Sequence, residues 1–253
     1  MTQRNAMPQD QPIAYRSIIA ELLAIWEEGI KRPIVSARTD LQDPKVPVLV
    51  RGLTAHAVDC ARGILTLYKA SQPVAALPIV RTLMEDSSTA AWLLVSPSAW
   101  KAFISKGARD RRTALNDILQ LDPGDIAAGA RLAEMEQLLQ TLGEPSGYQV
   151  QQRMNAVLGA ENMYLMYRAA SALSHADSPI VDLYTGEDAS AILGVGWKSH
   201  ASLSNASAWI AVAATNLLHA LIAWDICQAD RPDQLALENI ARRLNVRSDF
   251  QAR

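Results

Sequence analysis

Arg168 and His175 stand in the stretch YRAASALSHADS, residues 167–178, among small and mostly apolar neighbours. If the stretch is helical, a turn of about 100° per residue puts Tyr164, Arg168, Ser171 and His175 in one stripe. That stripe offers a phenol, a permanent cation, a hydroxyl and a group that titrates near neutrality. An arginine can clamp a phosphate through two parallel hydrogen bonds and hold charge in a transition state, while a histidine moves the proton. No metal is required for such chemistry. The same residues admit a plainer reading, in which Arg168 pairs with an interior carboxylate and His175 caps the helix end, where the dipole favours a cation. Spacing alone leans to the plainer one.

A second polar pair lies in PIVRTLMED, where Arg81 and Glu85 are one helical turn apart on an otherwise apolar segment. Taking both ions out of water costs several kcal/mol per ion, on the order given by buried-pair energetics, so such a pair positions something or fixes the packing. The sequence therefore predicts that Arg81, Glu85 and His175 share one cluster. Arg109, with Arg111 and Arg112 in KGARDRR, either adds positive charge to it or belongs to a solvated face. His56, in LTAHAVDCARG, reads as a satisfied core histidine.

Several classes are excluded by what the chain lacks. There is no HExxH, no Glu-x-x-His pair for a di-iron bundle, no P-loop and no dinucleotide glycine motif, so no metal site and no cofactor is expected. Cys60 and Cys227 lack CxxC or Cys/His motif spacing and read as buried thiols suited to a reducing cytoplasm. Ser171 or Ser174 beside His175 does not make a triad, because neighbours at those offsets cannot orient one another. The formal charge of -2 leaves no global basic field for nucleic acid.

The elements that must position these residues are helices. With 49% hydrophobic residues, 20% charged and 2 Phe, the 253-residue chain can bury a sizeable core, and its apolar positions recur at helical spacing without a sheet-like alternation. The pattern predicts an all-α bundle of about eight helices with a four-helix core: a leader over 1–12, one helical domain over 13–245 and a polar tail over 246–253. The helix bearing the opening stretch should run over 161–176, and the last core helix over 199–227. The segment 180–197 follows a proline and reads as an ordered loop or a lid. The apolar runs at 73–95 and 208–226 are interrupted by Arg81, Glu85 and Asp86, and by Asn216 and His219, and so read as core helices and not as membrane spans. IARRLNV suggests the start of a helix-turn-helix, yet only 248–253 remain for a recognition helix, so an amphipathic cap is the better reading.

RTLMEDSSTAAWLL followed by YRAASALSHADS resembles a bacterial family of helical proteins of unknown function, with an Arg and a Glu on an early helix and a Tyr, Ser and His on a later one, over roughly residues 48–225. The spacing of Arg168 and His175 also resembles the arginine-to-histidine pattern of the HEPN superfamily, whose helical domains include metal-independent ribonucleases of toxin and phage-defence systems. That resemblance implies a HEPN-like fold and RNA cleavage by attack of the 2′-hydroxyl. His175 would be the acid or base and Arg168 the phosphate ligand, supported by Arg81, Glu85, Tyr164, Ser171 and Arg109. It also implies a cytoplasmic homodimer, with RNA and an antitoxin-like protein as partners. The alternative is a non-catalytic helical protein that binds a ligand or another protein, its pocket lined by Trp92, Trp100, Trp197, Trp209 or Trp224, or those tryptophans serving only as core.

Overall fold

The computed structural model describes residues 11–32, 41, 43–143, 145, 147–157, 161–201 and 203–253. Most of the leader, with Gly159 of the turn before the opening helix, lies outside them. Within them the chain forms ten helices and one short hairpin. In order they are α1 (Gln11–Gly29), α2 (Lys45–Lys69), α3 (Pro73–Val95), α4 (Ala99–Leu121), α5 (Ile126–Leu142), α6 (Val150–Ala156), α7 (Glu161–Ala172), α8 (Ser178–Asp182), β1 (Thr185–Glu187), β2 (Val195–Trp197), α9 (Ala206–Ile226) and α10 (Gln234–Leu244). The fold is an all-α bundle.

Its centre is α9, which is apolar on all sides and carries no charge before Asp225. A helix of that kind is stable only when surrounded. α1, α2, α3 and α10 pack around it, and α1, α2, α3 and α9 make the four-helix core. Ile19, Leu22, Ile64, Leu77, Trp209 and Leu217 are sealed inside. By length and composition α9 could cross a membrane, but 61% of its most apolar window is buried against the rest of the bundle. α4 and α5 form a hairpin that touches the core only lightly.

Boundaries follow local chemistry. Pro73 occupies the first turn of α3, where its missing N–H is no loss. The Asp125 carboxylate accepts from the Ala128 N–H and starts α5. α10 stops at Asn245, in the left-handed conformation at φ 54°, and the Asn245 and Val246 amides turn back to Arg242 and Ala241.

Four regions differ from the sequence pattern. α7 ends at Ala172, because residues 173–176 turn and Asp177 caps α8 ahead of Pro179; His175 is therefore off the helix. α9 begins at Ala206, seven residues late. The segment 180–197 is neither a bare loop nor a closed lid: it holds α8 and an antiparallel hairpin pairing Thr185 with Trp197, and its tip exposes Ile192 and Leu193. The end of the chain is not a loose polar appendage, since Val246 and Phe250 pack on the core, Ala252 bridges to Val157 and the Arg253 amide donates to the Ala156 carbonyl.

Because α9 holds the bundle together, Leu217→Ala should destabilise the fold by about 2–5 kcal/mol, the usual range for emptying a sealed leucine site. Equilibrium denaturation of both proteins measures the difference.

Candidate functional site

α3 carries the run Glu85, Asp86, Ser87, Ser88 and Thr89 in the middle of the bundle, and the site grows from these side chains. The first group faces α7. Arg81 donates from Nε to Ser171 Oγ at 2.8 Å and from Nη2 to the Tyr167 hydroxyl at 2.7 Å. Tyr167 donates its hydroxyl hydrogen bond to Glu85 Oε1 at 2.7 Å, and Arg81 lies 3.0 Å from that same oxygen. This is a closed relay of cation, phenol and carboxylate. It is not sealed, for Arg81 and Glu85 keep 28% and 32% of their side-chain surface. Burial and the bond to Glu85 together raise the Tyr167 phenol above its usual range.

Arg153, on α6, is the second contributor and is 3% exposed. It donates to Thr89 Oγ1, lies 4.6 Å over the Tyr148 ring, and leaves its Nε without an acceptor. Burial pulls its guanidinium below the ordinary value, opposed by Tyr148, Glu85, Tyr167 and Asp86. Asp86 turns instead to α2, where His56 Nδ1 stands 2.9 Å from Oδ2. Burial is the main reason its carboxyl rises to about 6, with His56 opposing the rise.

A cavity of about 330 Å³ opens beside Ser87 and Ser88. Its walls are mainly apolar, from Ala91, Met154, Val157, Met163, Val246 and Phe250, with Asn162, Thr215 and His219 as polar points. The C-terminal segment forms one wall, bearing the Arg247–Asp249 ion pair. His219 stands edge-on to the Phe250 ring, 5.8 Å between centroids. It fronts the cavity and so keeps some accessible surface, yet it lies deep in the fold, and depth governs its charge: burial drops it to about 4, against the pull of a hydrogen bond to the Arg247 backbone. It is neutral at physiological pH.

Among the residues singled out from sequence, Arg81, Glu85 and Ser171 come together. Tyr164 does not join them; it stacks on Tyr167 at 6.3 Å, and Tyr167 takes the place expected of it. The buried face of α7 is set by Tyr167 and Ala170, which turns the adjacent Arg168 to solvent. His175, in the turn after α7, is exposed too, and makes no hydrogen bond or ion pair with Arg81, Glu85 or Arg168. The predicted shared stripe is thus off by one position and cut short. Arg109 donates to Ser105 at 2.8 Å and faces a groove between α4 and α5, apart from the cluster. His56 is exposed and not a core histidine. Trp197 is exposed, Trp92 and Trp209 are core, and none of the five tryptophans lines the cavity.

The pH consequence of His219 has a definite sign. The unfolded chain takes its proton below about 6.5 and the folded one only below about 4, so its contribution is complete above pH 6.5 and lost between 6.5 and 4. Asp86 runs the other way, losing its contribution as pH rises through about 6. His219→Gln should therefore melt with a weaker loss of stability between pH 6.5 and 4 than the wild type. Thermal melts across that window measure it, and an unchanged slope would contradict the burial of this imidazole.

No curated protein and no solved structure matches the chain. A family model matches residues 48–191, more than half of the sequence, and covers α3 with its polar run and α7 with its relay. By that match, the chain belongs to DUF5677, a family of unknown function.

Proposed function

We propose that this protein is a helical ligand-binding protein whose cavity beside α3 and α9 takes a small, mainly apolar molecule bearing one hydrogen-bond donor. The observation that carries this reading is the cavity itself. At about 330 Å³ it falls within the range of small-molecule sites, and it combines apolar walls with a few convergent polar groups. His219 gives the ligand its polar requirement. Held neutral by burial, the ring carries one acceptor nitrogen for a hydroxyl or N–H. Phenol and indole are suitable probes. Either should raise the melting temperature of the wild type in proportion to its concentration, and Ala91→Phe, which fills the cavity, should abolish the shift. A wild type that responds to neither probe, nor to a panel of small aliphatic alcohols, would defeat the reading.

A second reading is favoured by a different observation: Arg168 and His175 are both exposed and both uncommitted, so a phosphate has access to them. On this reading the chain is a metal-independent, HEPN-like endoribonuclease acting in the cytoplasm as a homodimer, with RNA as substrate and an antitoxin-like protein as regulator. His175→Ala and Arg168→Ala should each reduce cleavage of single-stranded RNA by about 10²-fold or more with chelator present, leaving the melting temperature unchanged because neither side chain is packed. A folded wild type without cleavage would rule it out.

A further inference from the structure

The α2/α3 contact brings a different set of donors together. His56 and Cys60 are one turn apart on α2 and share a face, and Asp86 meets them from α3. His56 nitrogen, Cys60 Sγ and an Asp86 carboxylate oxygen all lie within 4.8 Å of one another. Cys60 and Asp86 are 8% and 7% exposed. Asp86 Oδ2 is closed off from solvent and receives no hydrogen bond; His56 Nδ1 is at ion-pair distance from it but off the hydrogen-bond line. A buried carboxylate oxygen in that state is expensive unless a cation meets it.

We propose that His56, Cys60 and Asp86 bind a thiophilic divalent cation, zinc being the type case, with a water at the fourth position. The donor set selects the ion: thiolate and imidazole favour zinc or cobalt over magnesium or calcium, which take oxygen ligands. The size fits with small adjustments. Zinc arms of about 2.0–2.3 Å set tetrahedral donors roughly 3.3–3.6 Å apart, so the His56–Asp86 pair, now at 2.9 Å, opens by a few tenths of an ångström, and Cys60 Sγ stands within 4.8 Å of both. His56 is mostly exposed and gives the ion a route from solvent, while the two buried ligands hold it on the inner side. Three protein ligands and one exchangeable position are the arrangement of zinc sites that act on bound water or substrate.

The test uses the whole chain, stripped by chelator and reloaded with cobalt as the probe. Wild type and Cys227→Ser should bind one cobalt per chain and show a thiolate-to-cobalt charge-transfer band, which zinc then displaces. Cys60→Ser should lose the band. His56→Ala should bind at least ~10-fold more weakly, the scale on which even indirect supports of a ligand act. Zinc should raise the melting temperature of the wild type and of neither of these two variants. A folded wild type without the charge-transfer band, or a band that persists in Cys60→Ser, would overturn the site and leave His56 and Asp86 as an ion pair beside an inert thiol.

Discussion

The burial of four consecutive polar residues, Asp86 to Thr89, directly after the half-buried Glu85 on α3, is the constraint that the remainder of the structure answers to. Each residue advances by about 100°, so five in a row point around the whole circumference of the helix. No single neighbour can satisfy them. Glu85 is met by Arg81 and Tyr167. Asp86 is met by His56, and Ser87 by Asn216 at 2.6 Å. Ser88 and Thr89 turn back on the Glu85 carbonyl, and Thr89 also accepts from Arg153. α2, α6, α7 and α9 are thus each tied to α3 by a particular polar contact as well as by apolar packing.

Much of the fold was legible because apolar periodicity is a local signal: the long helices, the four-helix core and the role of α9 all follow from it. The α3 pair could also be read, since an arginine and a glutamate one turn apart in PIVRTLMED stand out against their surroundings. What could not be read was rotation. α7 has tyrosines at 164 and 167 and polar residues at 168 and 171, with His175 in the turn beyond it, and two faces one position apart have nearly equal claims; only the packing of Tyr167 and Ala170 chooses between them. The early end of α7 depends on the Asp177 cap and Pro179, and these signals were visible but competed with a continuing apolar pattern.

Other participants were hidden for different reasons. Arg153 lies on a short helix without strong periodicity, so nothing in VQQRMNA marks it as buried. His219 sits in the most apolar helix, where a histidine reads as core; its meeting with the C-terminal segment is a long-range event that no local pattern encodes. The His56 and Cys60 pair was present at helical spacing all along. Motif-based reasoning looks for CxxC and HExxH, whereas a ligand set split between two helices has no contiguous signature, and Asp86 is only one of several acids that could have completed it.

The same rotation that makes α3 demanding also keeps its surroundings distinct. Glu85 looks to α7, Asp86 to α2, and Ser87 to α9 and the cavity, so the relay, the candidate metal ligands and the candidate pocket are adjacent in sequence but separated by the helix itself. They remain coupled through charge. Glu85 raises the Asp86 carboxyl and Arg153 opposes it, while Glu85 and Asp86 both hold the Arg153 guanidinium up against its burial. A helix that is polar all round at one level is costly to bury, and here Glu85, Ser87 and Thr89 each draw a hydrogen-bond partner from a different neighbouring helix.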